Sequence, residues 1–354
     1  MSNNRAESTA GIETSIKNVK ISGISTCVPN RNISNKYFER FFSTKDIDDV
    51  TKISGVRNRY WADVNTNTSD LCHSATLNLL QNTNTDISEI DALIFITQTP
   101  DFTLPSSAFF IHNKLKMRED AIAFDINLGC SAYPYGIWLA SKIIDGIAIK
   151  KVLLLVGDTI SKFIDVRDRS TSMLFGDAGS ATMVEFSEHN ERNMSFIFGS
   201  DGSGWNNLIL PKSTKDDNPL LNDKRVIGKD PTKLFMDGSS IFMFTLKVVP
   251  PMVKRLIERS DSEIDFYLFH QANIFILDHL VKKIGLDLDK VPSNIEKYGN
   301  TSSTSIPLLL TDANNYEMKK LKNIAMFGFG VGYSWAGALI SFESNTYFGH
   351  IEQE

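Results

Sequence analysis

Three residues far apart in the chain are of types suited to a single reaction. Cys130 lies in Asn127-Leu128-Gly129-Cys130-Ser131-Ala132, His270 opens His270-Gln271-Ala272-Asn273, and Asn300 sits in Tyr298-Gly299-Asn300-Thr301-Ser302. A thiol can take an acyl group from a thioester. A neutral imidazole N–H and a carboxamide are donors suited to a thioester oxygen as it gains charge. Together they supply what Claisen-type carbon–carbon bond formation between thioesters requires.

Each residue taken alone also has a plainer reading. Cys130 falls between an apolar strand-like run and an apolar helix, where first-turn N–H groups favour thiolate over thiol. A lone cysteine is nevertheless more often a small buried apolar side chain, and Cys27 and Cys72 are read that way. A histidine ending a short strand is more often structural. Thr301, Ser302 and Ser303 read as helix caps, which leaves the Asn300 amide free to face a pocket. In Ala325–Trp335 the glycines are spaced too closely for a continuous strand, and the segment reads as a turn that needs positive φ or as a loop bringing backbone N–H groups to a ligand oxygen. The segment opens no helix, so it is no dinucleotide site. Ser200–Gly204 lacks a phosphate-loop pattern, and Asp70, Cys72 and His73 make no metal cluster; no metal is expected.

Those residues must be positioned by a chain of 354 residues, 42% hydrophobic and 22% charged, with a formal charge of -5. That charge argues against nucleic acid or an anionic membrane as partner. No apolar run reaches the ~18–20 residues that span a bilayer. Three widely spaced cysteines give no disulfide framework, so a reduced, cytoplasmic location is expected. Residues 1–17 are polar, without a secretory apolar segment, and read as a loose tail; 346–354 read as a C-terminal tail.

Strand-length apolar runs at Asn18–Ser25, Ala92–Thr97, Ala121–Asn127, Lys151–Val156 and Ala178–Phe186 alternate with helical spacing at Asn35–Phe42, Ser69–Leu80, Ser106–Leu115 and Ser131–Ile144. The C-terminal part repeats this outline. Ile241–Arg259 is helical with a bend near Pro250-Pro251, Phe266–Phe269 is a strand, and Ile274–Ile284 is a helix ended by Gly285. Ser303–Ala313 is helical, and Ile324–Phe327 and Ala336–Phe342 are strands. The alternation predicts an α/β fold with crossover connections, and the repeated outline suggests duplication of residues 18–187 in 188–345. Lys212–Pro231 reads as a long surface loop. Tyr133, Tyr135 and Trp138 read as helix packing more readily than as a tunnel wall.

The order and separation of the Cys130 junction, HQAN, YGNTS and the terminal glycine loop resemble those of ketoacyl-acyl-carrier-protein synthase III, within the thiolase-like superfamily. The similarity runs from about Val19 to Phe342. It includes Ser54–Arg59, Pro105-Ser106, Asp168–Thr171, Phe175–Gly179 and Met236-Asp237-Gly238. The resemblance implies a five-layered α-β-α-β-α fold from two duplicated halves, assembled as a homodimer.

It further implies decarboxylative condensation of an acyl thioester with malonyl-acyl-carrier protein, giving a 3-oxoacyl thioester. Cys130 would carry the acyl group, while His270 and Asn300 would assist decarboxylation. Backbone groups around Gly330 and Val331 would complete an oxyanion hole beside an aromatic gate, Phe329. Coenzyme A or phosphopantetheine thioesters would be substrates, no cofactor would be bound, and Arg169, Asn273, Lys282 and Lys283 would meet the thioester arm or carrier. Asp49, Ile53 and Phe275 depart from the family's Trp, Arg and Arg at those positions, and Val331 replaces a glycine. These departures motivate an alternative, acylation of a hydroxyl or amino group of a sugar or natural product without decarboxylation. A silent partner subunit is a third reading, opposed by retention of Cys130, His270 and Asn300.

Overall fold

In the computed structural model, which describes residues 10–188, 193–211, 218–312 and 322–353, the apolar runs become strands, most of them buried on both faces, with Ile122–Ile126 only partly buried. The strands of the two large sheets are Ile12–Ile16 (β1), Val19–Val28 (β2), Ala92–Ile96 (β3), Ile122–Ile126 (β4), Lys151–Asp158 (β5) and Ala178–Phe186 (β6). Met194–Ser200 (β7), Phe266–Phe269 (β8), Asn323–Gly330 (β9), Ser334–Ser341 (β10) and Tyr347–Glu352 (β11) follow. The principal helices are Thr44–Ser54 (α1), Thr68–Thr83 (α2), Ser107–Lys114 (α3), Ala132–Ile143 (α4), Gly238–Ile257 (α5), Ile274–Ile284 (α6) and Ser305–Thr311 (α7).

A six-stranded sheet has the order β11-β2-β6-β5-β3-β4, and a five-stranded sheet the order β1-β7-β10-β9-β8. Side-chain alternation explains why both need helices on each face. From β5, Val152, Leu154 and Val156 face a core shared with Met326 of β9 and with α4 and α7, whereas Leu153 and Leu155 face α2 and α3. From β9, Ala325, Phe327 and Phe329 face α5 and α6. The layers are therefore α2/α3, sheet, α4/α7, sheet, α5/α6, the expected five-layered fold. Duplication is visible in strand polarity. β2–β6 and β6–β5 are antiparallel and β5–β3 parallel; β7–β10 and β10–β9 are antiparallel and β9–β8 parallel.

Several local expectations need correction. Ile12–Ile16 is not part of a loose tail: it pairs antiparallel with β7 from Ile12↔Phe198 to Ile16↔Met194. Residues 347–352 likewise join the six-stranded sheet, beside β2. Asn35–Arg40 is a 3-10 turn, and the polar segment after it forms α1, whose amphipathic residues the sequence reading passed over. α2 begins one residue before the expected Ser69, with Asn67 as its cap. α5 continues through Pro250 and Pro251. β9 runs through Gly328 to Gly330, so the glycines thin a strand rather than end it. Residues 1–9, the first part of the 212–231 loop and the end of the 303–313 helix lie outside the described residues.

Candidate active site

Cys130 follows β4 and precedes α4, buried at 7% exposure. The glycines around it are there for close approach. A Cβ on Gly330, whose φ is +156°, would lie 2.8 Å from both Cβ and Sγ of Cys130, so the end of β9 presses directly on the thiol. The next residue, Val331, directs its backbone N–H at the sulfur. Burial pushes the Cys130 thiol up to about 11, against partial opposition from the Val331 N–H, and the Asp158 charge adds to the rise. The expectation of a helix-stabilised resting thiolate is thus corrected. A helix N-terminus contributes ~0.3–1 kcal/mol, less than the cost of desolvating a thiolate here. Cys27, also buried, is pushed up to about 12, and Cys72 is raised as well.

His270 ends β8, next to β9 through its N–H to Phe327 O at 2.8 Å. It is 1% exposed, and burial lowers its pKa to about 3, so the ring is neutral near pH 7. Phe329 stands edge-on to it at 5.7 Å between ring centroids. Nδ1 lies 2.8 Å from Ser305 Oγ, which also lies 3.0 Å from Ser302 O. A hydroxyl has one proton for these two acceptors. Given to Nδ1, it makes Nε2–H a donor toward the pocket.

The Asn300 segment is held from both sides. Its N–H donates to Leu174 O at 2.9 Å and its C=O accepts from Gly176 N at 3.0 Å. Oδ1 accepts from Ser302 N at 2.9 Å, and Nδ2 donates to Ala272 O at 3.3 Å, which leaves a second amide hydrogen for the cavity. The serines are not the side-chain caps expected: Thr301 makes no capping bond, and Ser303 Oγ donates to Asp158 Oδ2 at 2.7 Å. Asp158, at the end of β5 and fully buried, also accepts from Gln98 N at 2.8 Å and Thr97 Oγ1 at 3.2 Å. It ties the Cys130 half to the Asn300 loop. The sequence reading missed Asp158, Ser302 and Ser305; a Gly-Asp pair closing an apolar strand was the available signal for Asp158.

Cys130, His270, Asn300, Asn273, Phe329 and Gly330 line one cavity of about 50 Å³. A second arm of about 250 Å³ also opens on Cys130, between Gln98, Asn127, Ile160, Phe163, Leu234 and Val331. The thiol is therefore where two arms meet. Tyr133 and Tyr135 pack within the fold, Tyr133 against Thr182 Oγ1 at 3.1 Å and Tyr135 against Phe198 with centroids 4.5 Å apart.

Of the expected thioester-arm residues, Asn273 reaches the small cavity while its Oδ1 caps α6 through Ile276 N at 2.8 Å. Arg169 is exposed and ion-paired with Asp46 of α1 at 2.5 Å. Lys282 and Lys283 lie in the last turn of α6, about 14–15 Å along its axis from Asn273. Lys283 Nζ donates to Leu246 O at 2.8 Å, the carbonyl that Pro250, lacking an N–H, leaves open in α5. Phe275 is half-exposed against Phe242 and His279, with centroids 5.2 Å and 4.2 Å away.

Comparison with known proteins agrees with this geometry. Residues 124–202 match the family described as 3-oxoacyl-[acyl-carrier-protein (ACP)] synthase III, and residues 257–342 match its C-terminal domain. The chain is 37% identical to the beta-ketoacyl-[acyl-carrier-protein] synthase III of Clostridium tetani, over 92% of this chain and 98% of that one. It is 33% identical to the Staphylococcus epidermidis protein of the same description, over 91% and 98%. The crystal structure of 3-oxoacyl-(acyl-carrier protein) synthase from Burkholderia xenovorans superposes with a TM-score of 0.93 at 45% identity, covering 98% of this chain and all of that one.

Proposed function

This chain belongs to the 3-oxoacyl-[acyl-carrier-protein] synthase III family of thiolase-fold condensing enzymes, and we propose from that premise that it joins an acyl thioester to a malonyl-type thioester with loss of CO2. The observation that carries the reading is the convergence of Cys130, His270 and Asn300 on one small cavity beside a second arm.

The Cys130 sulfur attacks the acyl carbonyl carbon, the donor's C–S bond breaks, and the thiol proton ends on the departing thiol. The Val331 N–H at the sulfur and the Cys130 N–H hold the tetrahedral oxygen, with Gly330 allowing the approach. In the second half-reaction the malonyl C–CO2 bond breaks and its electron pair forms an enolate. Neutral His270 Nε2–H and the Asn300 amide donate to the enolate oxygen. The carbanion then attacks the acyl-Cys130 carbonyl, a C–C bond forms, and the Cys130 C–S bond breaks. One proton is taken up as the thiol is restored. Phe329 gates this arm. His270 suits the donor role because burial keeps it uncharged at neutral pH.

The donor is a coenzyme A or phosphopantetheine thioester, the malonyl group arrives on acyl-carrier protein, and the product feeds fatty-acid-type synthesis. Asn273 lines the thioester arm, and Arg169, Lys282 and Lys283 are the residues assigned to meet the carrier. The enzyme works in the cytoplasm without a bound cofactor. No helix among the described residues is long and apolar enough to cross a membrane. A homodimer forms through β4, an edge strand of the six-stranded sheet with Ile122, Phe102, Leu104, Phe109 and Phe110 exposed on it and on the segments beside it. The decisive measurement is CO2 release from malonyl-acyl-carrier protein with an acyl donor present. Release matched to 3-oxoacyl product is expected. Acyl transfer to a hydroxyl or amine with no CO2 would instead select the non-decarboxylating reading.

A further inference from the structure

The arm of the cavity away from His270 holds polar groups that the condensation leaves unused. Four polar side chains line it: Gln98, Thr99, Asn127 and Ser302. Two are committed within the protein. Thr99 Oγ1 accepts from Thr159 N at 2.9 Å and meets Thr68 Oγ1 at 2.8 Å, and Ser302 is turned toward Cys130 and Asp158. The carboxamides of Gln98 and Asn127 meet only each other among the described residues, at 3.4 Å. Each therefore retains donor and acceptor capacity.

Gln98 is held in place for this. Its backbone N–H donates to Asp158 Oδ1 at 2.8 Å, which fixes the base of the side chain. Its carboxamide lies over Gly129, where a Cβ would come within 2.2 Å of Oε1, so only glycine before the nucleophile permits the arrangement. The amide pair thus sits beside the thiol, while Ile160, Phe163 and Leu234 supply an apolar wall. Past the pair lies an outer hollow of about 750 Å³ that shares Gln98, Asn127 and Phe163 with the arm. A long alkyl chain heading there would pass Gln98 and Asn127 as well as Phe163 and Leu210, which line both hollows. The arm itself, at about 250 Å³, has room for roughly eight heavy atoms at ~30 Å³ each.

We propose that the acyl group loaded on Cys130 is a short one carrying a hydroxyl at its third or fourth carbon, bound by the Gln98–Asn127 pair. Gln98 Oε1 accepts the hydroxyl proton and Asn127 Nδ2 donates to its oxygen. An unsubstituted chain offers neither: exposed Asn127 keeps water as a partner, but half-buried Gln98 is left facing methylene groups, the situation in which a site made of hydrogen-bonding groups disfavours an analogue. The inference rests on the acyl-Cys130 reading. Loading transfers the acyl carbon from the donor sulfur to Cys130 Sγ and releases free coenzyme A carrying the thiol proton.

The test is competition in one tube: the full chain with equal 3-hydroxybutyryl-CoA and butyryl-CoA, and separately 4-hydroxybutyryl-CoA and butyryl-CoA, read by intact mass. The two adducts differ by one oxygen, and their ratio does not depend on the active fraction of the protein. At least one hydroxylated donor should lead by ~10-fold or more. Gln98→Leu and, separately, Asn127→Leu should each bring that ratio near one. Equal loading by the native chain, a lead for butyryl, or a ratio untouched by both substitutions overturns the proposal while leaving acyl-Cys130 intact. Failure of every donor to load folded protein removes the acyl-Cys130 reading, and the proposal with it.

Discussion

The two arms that meet at Cys130 differ in what their polar side chains are tied to. Toward His270, each polar group is anchored on one side by the protein: the imidazole by Ser305 at 2.8 Å, Asn300 by Ser302 N at 2.9 Å, Asn273 by Ile276 N at 2.8 Å. Toward Gln98 and Asn127, two carboxamides share a single long contact of 3.4 Å. The first arrangement fixes donors before substrate arrives, which is what electrostatic stabilisation of a developing charge needs. The second leaves hydrogen-bonding capacity for the substrate to fill. The proposed scheme puts chemistry and selectivity on opposite sides of one sulfur atom.

The largest effect that could break this contrast is at the sulfur. Cys130→Ala should abolish acylation of the protein, because among the described residues no other thiol lines either arm; any adduct surviving at a different residue, seen by peptide mass mapping, would displace the scheme. Next, His270→Ala and Asn300→Ala should each leave acylation of Cys130 within a few fold and lower malonyl decarboxylation by ~10²–10³, measured as CO2 release. Loss of acylation in His270→Ala with decarboxylation preserved would reverse the division of roles.

Asp158→Asn keeps the shape while removing the charge that binds Ser303 Oγ at 2.7 Å and also acts on Cys130. Decarboxylation should fall by ~10-fold as the Asn300 loop loosens, while alkylation of Cys130 by iodoacetamide shifts to lower pH. A purely structural Asp158 would give a lower melting temperature without that pH shift. The smallest effect concerns pH in the native chain. With the thiol pushed up to about 11, the thiolate fraction, and with it alkylation of Cys130, should rise about tenfold per pH unit from 7 to 10. Decarboxylation by the pre-acylated enzyme should stay flat from pH 8 to 5, since His270, lowered to about 3, gains no proton there. A break near pH 6.5 would mean that His270 is more open to water than its burial implies.

How much of this was legible in the chain varied from residue to residue. The apolar runs at Ala92–Ile96 and Lys151–Asp158 read correctly as strands because burial on both faces removes polar residues from them. Ile274–Ile284 read correctly to its ends because Asn273 and Gly285 are local signals. Cys130, His270 and Asn300 stood out because each is a chemical type set in an unusual local sequence. Ile12–Ile16 did not read as a strand, since its partner lies about 180 residues away at β7 and supplies the hydrogen bonds that the polar segment alone does not suggest. β9 read too short because the glycines that weaken a strand locally are there for contact with Cys130 and Ser131.

By itself, then, the order of residues determined the alternation of elements, the duplication, the family and the three groups available for chemistry, because these follow from side-chain type and short-range spacing. Tertiary structure alone decided their states. Burial raised the Cys130 thiol and held His270 neutral, and a carboxylate from β5 fixed a loop about 145 residues away. Lys283 found a hydrogen-bond partner in an open carbonyl of α5. Desolvation and hydrogen-bond partnership depend on which surfaces meet in space, and no local stretch of sequence carries that information.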